Sequence, residues 1–288
     1  MAAFSDIYYD SHDARLRLYA RDYGGNGLPV ICMHGLSRNA ADFDWLAAHL
    51  SPRYRVIVPD QRGRGLSGWD AEPANYTPAV YVQDMFKLMG DLGMARAALV
   101  GTSMGGIMAM IMGAMAPQSV AGLIINDVGP EIAVEGLERI RSYVGKSPPI
   151  TSWADAAARA KQTNDVCFPD YGEADWMAFA RRTYHADAAG LPVSSYDPAI
   201  SGAFDPDGPV VAPPDMWALW DALKGLPILG IRGELSDLLT EATFGQMLER
   251  HPAMHAVTVA NRGHAPMLDE PEAVDAIDAF LGGLENQA

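Results

Sequence analysis

Continuous apolar runs, rather than alternating ones, recur along this chain. LPVICMHG (28–35), YRVIVPD (54–60), RAALVGTS (96–103), VAGLIIND (120–127), LPILGIRG (226–233) and MHAVTVANRG (254–263) have the pattern of strands covered on both faces. ARLRLYA (14–20) alternates instead, as a half-exposed strand at a sheet edge does. Helical patterns lie between most of these runs. Thr77-Pro78 offers an N-cap with proline at the first helical position, followed by Val82, Met85, Met89 and Leu92 at helical spacing. Pro271 opens another helix, with Val274, Ile277 and Leu281 on one stripe. This alternation predicts an α/β fold with a doubly wound, mostly parallel sheet and right-handed crossovers.

One interval breaks the rhythm. Residues 130–215 show helical fragments and loops bounded by Pro148-Pro149, Pro169, Pro192, Pro198, Pro206, Pro209 and Pro213-Pro214, with no buried-strand run. The division expected is a core of residues 1–129 and 216–288 interrupted by a helical cap at 130–215. Aromatic side chains are dense in and beside the interval, and Trp153, Trp176 and Trp217 are the tryptophans expected to bind substrate.

Composition narrows the partners. A formal charge of −15 over 288 residues, spread along the chain, disfavours nucleic acid and anionic membrane surfaces, which need a basic patch. Two cysteines, Cys32 and Cys167, form neither a disulfide framework nor a zinc motif. The N-terminal stretch lacks the apolar run of a signal peptide, and no run reaches a membrane span, so a cytoplasmic protein is the expectation. A homodimer is as compatible with the sequence as a monomer.

Chemistry concentrates where runs end. Gly101-Thr102-Ser103-Met104-Gly105 fits G-x-S-x-G between a strand and a helix. A strand turning at once into a helix strains its turn residue, and glycines on either side leave room for the two elements to approach. Ser103 is thereby pushed into the open beyond the strand ends, where such sheets bind ligands. The backbone N–H groups of Leu36, in the His34-Gly35-Leu36 turn, and of Met104 could point at one oxyanion. His264, in a Gly-His turn after the last strand, can take and return the serine proton. The acid that orients it is Asp237, Asp127 or Glu234, each following a buried strand. Asp237 is favoured, because the last two strands should be neighbours. No cofactor or metal is implied: no G-x-G-x-x-G follows the first buried strand, and no histidine pair has ligand spacing.

With these elements in place, the chain resembles the α/β-hydrolase superfamily over nearly its whole length. The matches are HGL at 34–36, the D-x-R-G-x-G-x-S stretch from Asp60 to Ser67, the GTSMGG elbow, Gly233 through Asp237, and Gly263-His264. The resemblance implies an eight-stranded sheet and a triad in the order Ser103, Asp237, His264. It also implies a serine hydrolase cleaving small to medium carboxylic esters, closest in look to capped esterases. Lactonases, carbon–carbon bond hydrolases and cofactor-free perhydrolases share that triad. Dehalogenases and epoxide hydrolases carry aspartate at the elbow, where this chain has Ser103. The D-x-R-G-x-G-x-S stretch has the look of a structural turn, with Arg64 where many relatives have histidine. A catalytically silent ligand receptor on the same fold is the reading from a different class, since one fold hosts many functions.

Overall fold

The computed structural model describes residues 3–146, 150–203 and 215–285. Eight strands form one sheet: β1 (Ser5–Asp10), β2 (Arg17–Asp22), β3 (Pro29–Met33), β4 (Arg55–Asp60), β5 (Ala97–Thr102), β6 (Val120–Asn126), and two later strands, Ile228–Gly233 and His255–Val259. A two-stranded hairpin, β7 (Tyr184–Ala186) with β8 (Pro192–Ser194), precedes those two in the chain, so they are β9 and β10. The order across the sheet is β1-β2-β4-β3-β5-β6-β9-β10. From β4 to β10 all pairings are parallel; β1 and β2 run antiparallel at one edge. The expected edge strand at 14–20 starts later, and β1 lies outside it. β1 exposes most of its side chains, so it has no apolar run to announce it.

Helices cover both faces of this sheet. The central strands alternate sides: Ile31, Met33, Ile57, Leu99 and Ile125 face one core, and Val30, Cys32, Val56, Val58, Val100 and Ile124 face the other. The first core is closed by α2 (Pro78–Asp91), through Val82, Met85 and Met89, and by α3 (Met104–Met115), through Met108, Met110 and Met112. The second is closed by α1 (Asp44–Leu50) and by a C-terminal helix, Pro271–Glu285, which buries Ile277 and Leu281. Burial on both faces is what makes these strands read as continuous apolar runs. Thr77 does stand at the N-cap of α2 with extended backbone, although its side chain makes no capping bond.

Between β6 and β9 the chain leaves the sheet. It forms α4 (Val134–Tyr143), α5 (Trp153–Asn164), α6 (Glu173–Thr183), the β7–β8 hairpin and α7 (Trp217–Asp221). After β9 come α8 (Glu241–Arg250) and, past β10, the C-terminal helix as α9. The hairpin is an element that the reading of this interval as helical fragments and loops does not include. Its strands have three residues each and bury only Pro192, so they carry no hydrophobic signature. Pro148, Pro149, Pro206, Pro209, Pro213 and Pro214 lie outside the described residues. The segment has its own core, in which Phe168 meets Trp176 at 6.2 Å and Phe179 at 5.8 Å between ring centroids. No described helix is long and apolar enough to cross a membrane.

Candidate active site

The glycines around Ser103 are there because backbone fills the space a side chain would need. A Cβ on Gly101 would lie 2.2 Å from the Gly105 carbonyl oxygen, and one on Gly105 would lie 2.0 Å from that of Met33. Strand β5 therefore passes directly into α3, and Ser103 takes φ 55° and ψ −118°, a strained conformation for a residue with a side chain. Its N–H is tied to the Asn126 carbonyl of the neighbouring strand at 3.0 Å. The hydroxyl stands at the carboxyl end of the sheet.

His264 closes on Ser103 from the loop after β10. Its Nε2 is 2.9 Å from Ser103 Oγ, and its Nδ1 is 2.9 Å from Asp127 Oδ2. The loop is pinned twice. Gly263 donates its N–H to the Cys167 carbonyl at 2.8 Å, and Asn126 Nδ2 donates to the Pro266 carbonyl at 2.8 Å.

The acid beside His264 is Asp127, and the expectation for Asp237 is corrected here. Asp127 follows β6 directly, is fully buried, and adopts φ 55°. It accepts the Gly233 N–H on Oδ1 at 2.8 Å and the Ser236 hydroxyl on Oδ2 at 2.7 Å. The turn expected to supply the acid thus supplies hydrogen-bond donors to it. Asp237 points the other way, into a bidentate pair with Arg139 of α4, whose Nη2 lies 2.9 Å from Oδ1. Burial pushes the Asp237 carboxyl up, but the Arg139 hydrogen bonds and charge outweigh this and hold it below the usual range. Glu234 is exposed and accepts the Asn261 N–H.

The donors expected for an oxyanion flank Ser103. Met104 is the first residue of α3, so its N–H has no carbonyl within the helix, and the positive end of the helix dipole lies there. Leu36 lines the same cavity as Ser103, and a Cβ on Gly35 would lie 3.6 Å from Ser103 Cβ. The Leu36 carbonyl is held by Arg64 Nε at 2.9 Å. Arg64 is fully buried, donates also to the Arg62 carbonyl at 2.8 Å, and stacks over Tyr81 at 4.7 Å. This agrees with reading the D-x-R-G-x-G-x-S stretch as a structural turn. His34 is a structural residue: its Nε2 accepts the Gln61 N–H at 3.1 Å, which makes Nδ1 the donor to the Gly35 carbonyl at 2.8 Å.

This turn makes a testable contribution to pH dependence. Burial pushes His34 down from 6.5 to about 4, and burial pushes Asp60 up from 3.8 to about 6. The unfolded chain binds the His34 proton where the fold does not, so that group's contribution to stability is lost as pH falls from 6.5 towards 4. Asp60 acts oppositely: folded protein holds its proton up to about 6, so its contribution is lost as pH rises through that window. The two slopes offset one another. Asp60→Asn should leave His34 unopposed and lose urea stability more steeply than the parent on acidification from pH 6.5 to 4. Parallel profiles for the two proteins would contradict the assignment.

A cavity of about 380 Å³ opens over Ser103 and His264. Core loops contribute Leu36, Arg38 and Met267, and the segment between β6 and β9 contributes Ile140, Tyr143, Phe168, Phe179 and Tyr196. None of the three tryptophans expected to bind substrate is among the lining residues. Trp176 is buried in the segment's own core. Trp153 lies under Arg181 at 3.6 Å and bonds the Gly190 carbonyl. Trp217 lies under Arg250 at 4.6 Å, against the main core. An insertion of this size needs aromatic side chains for its own packing, and composition does not separate those from the pocket walls.

A hydroxyl, an imidazole and a buried carboxylate in series can activate an oxygen nucleophile. The sequence model of the alpha/beta hydrolase family matches residues 30–277. The chain belongs to the alpha/beta hydrolase family. It is 32% identical over 278 residues to a 3-hydroxybutyrate-oligomer hydrolase of Cupriavidus necator, covering 93% of each chain. It is 26% identical to a 2-(acetamidomethylene)succinate hydrolase of Mesorhizobium japonicum, covering 93% of this chain and 92% of that one. Among solved structures, an alpha/beta hydrolase from Novosphingobium aromaticivorans superposes with a TM-score of 0.91 at 40% identity, covering 98% of this chain and 99% of the other.

Proposed function

We propose that this alpha/beta hydrolase cleaves small to medium carboxylic esters through an acyl-enzyme on Ser103. The observation that carries the reading is the imidazole of His264 bridging Ser103 Oγ and Asp127 Oδ2 at 2.9 Å on both sides. Asp127 accepts the Nδ1 proton, which leaves Nε2 free to take the serine proton as Oγ attacks the ester carbonyl. The N–H groups of Met104 and Leu36 receive the charge that develops on the carbonyl oxygen. His264 then returns its proton to the departing alcohol. Water enters by the reverse of the same steps and releases the acid.

The segment between β6 and β9 acts as the cap. It supplies the apolar wall of Ile140, Phe168 and Phe179 that would surround an aliphatic substrate and exclude water. The similarity to a 3-hydroxybutyrate-oligomer hydrolase supports ester chemistry, because oligomers of a hydroxy acid are joined by ester bonds. A fluorophosphonate probe tests the reading directly. Intact mass should rise by one phosphonyl group, with peptide mapping placing it on Ser103, and an activated aryl acetate should give a burst equal to the enzyme present. Labelling absent from Ser103, with no burst, would leave a ligand receptor on this fold.

A further inference from the structure

The cavity wall carries charge that ester hydrolysis does not use. Three cationic side chains line it: Arg38, Lys146 and Arg159. Arg38 is neutralised by the Asp42 carboxylate, which it grips with two nitrogens, and it also bonds the Thr183 hydroxyl. Lys146 and Arg159 have no such partner. Carboxylates outnumber cations 36 to 21 in the chain, yet among the described residues neither side chain is ion-paired. Arg159 reaches only the neutral Gln162 amide at 3.3 Å, one turn along its own helix.

Their placement is consistent with a ligand rather than with the fold. Lys146 follows α4, its N–H closing a turn on the Tyr143 carbonyl at 3.2 Å. Arg159 lies on α5 with Ala160, Thr163 and Asn164, and all four line the cavity. The polar neighbours on that stripe are turned onto their own helix: Thr163 Oγ1 bonds the Arg159 carbonyl at 3.0 Å, and Asn164 Nδ2 bonds the Ala160 carbonyl at 2.9 Å. What remains available to a bound molecule is two positive charges on the wall of a largely apolar cavity, Arg159 half-buried and Lys146 exposed. An anion that meets both cations gains a charge-assisted interaction from each, which a single surface cation does not offer. The chain as a whole, at net −15, would repel that anion.

We propose that Lys146 and Arg159 form a carboxylate subsite, and that the substrate is an ester whose acyl or alcohol part ends in a free carboxylate. This rests on the ester-hydrolase reading above. Carboxylate recognition resides wholly in the segment between β6 and β9, and bond cleavage in the sheet-end loops. The two functions are therefore separable by mutation.

The test uses two pairs of esters, each differing only in carboxylate against carboxamide. Monoethyl glutarate and the ethyl ester of glutaramic acid carry the group on the acyl part; 3-acetoxybutanoate and 3-acetoxybutanamide carry it on the alcohol part. For at least one pair the carboxylate should be preferred about tenfold or more in kcat/KM, chiefly through KM. The double substitution Lys146→Met with Arg159→Gln should bring that ratio close to one while leaving the carboxamide ester's kcat/KM within about threefold. No preference in either pair, or a preference that survives the double substitution, overturns the proposal. Calorimetry on the Ser103→Ala protein with glutarate and glutaramide needs no turnover. Glutarate should bind more tightly, and the difference should vanish when Lys146→Met and Arg159→Gln are added. Selective glutarate binding without Ser103 labelling would keep the subsite and refute the hydrolase reading; labelling without selective binding would do the reverse.

Discussion

Replacing Asp127 with asparagine should lower kcat by about four orders of magnitude, while Asp237→Asn should stay within about tenfold of the parent. The amide is nearly isosteric, and its oxygen can still accept the Gly233 N–H that Asp127 Oδ1 accepts at 2.8 Å. Its nitrogen, however, would face His264 Nδ1 with a donor where an acceptor stood. The imidazole would answer by placing its proton on Nε2, the atom that must be free to receive the serine proton. The Ser236 hydroxyl already accepts the Leu238 and Leu239 N–H groups, so it loses its own acceptor at that atom and the variant should also be somewhat less stable. Asp237→Asn removes a charge from Arg139 instead, and α4 carries cavity-lining residues, so its effect should fall on stability and KM more than on kcat. Steady-state kinetics on a non-ionising ester decides the matter. A large kcat loss in Asp237→Asn with Asp127→Asn nearly silent would mean that the hydrogen bond to His264 is incidental.

Strands β9 and β10 are neighbours in the sheet, as sequential strands usually are. Adjacency nevertheless did not select the residue. Gly233 ends β9, and the chain then turns so that Ser236 faces Asp127 while Asp237, one residue on, faces Arg139. A difference of one residue in a turn is set by tertiary contacts with α4. Those contacts are close: a Cβ on Gly136 of α4 would lie 2.7 Å from the Asp237 carbonyl oxygen. Asp127 did carry a usable signal, since it directly follows seven residues that are all buried. A carboxylate at that depth needs partners, and a positive φ is tolerated by aspartate better than by most residues.

The Ser103 elbow and the His264 turn, the proposed nucleophile and base, are legible because local rules determine them. A glycine-flanked serine between an apolar run and an apolar helix has few structural solutions, and Gly263 before His264 marks a close approach, with Cys167 Cα 2.7 Å from a Cβ placed there. The cavity walls were not legible. Which face of α5 or α6 meets Ser103 depends on how the inserted helices dock, and amphipathic periodicity gives a face without its partner. Phe168 illustrates this, packing on Trp176 in the insert's core while also lining the cavity. The density of aromatic side chains does not distinguish these duties.

Ser103→Gly should abolish turnover, by about six orders of magnitude, and yet unfold at higher denaturant than Ser103→Ala. Both substitutions remove Oγ, and with it the hydrogen bond to His264 Nε2. They differ in Cβ alone. At φ 55° and ψ −118° a Cβ is held in a region that glycine enters without strain and other residues enter at a cost of roughly 1–3 kcal/mol. Glycine gives part of this back through the greater freedom of its unfolded chain, roughly 0.4–1 kcal/mol. The net difference should be about 1 kcal/mol in favour of Ser103→Gly. Urea titrations of the two inactive proteins measure it without interference from catalysis. Should alanine prove equal to or more stable than glycine, the elbow would be relaxed in solution, and the exposure of Ser103 would need another cause. If glycine is the more stable, the strain is carried for the position of the hydroxyl, because nothing else at residue 103 requires a side chain there.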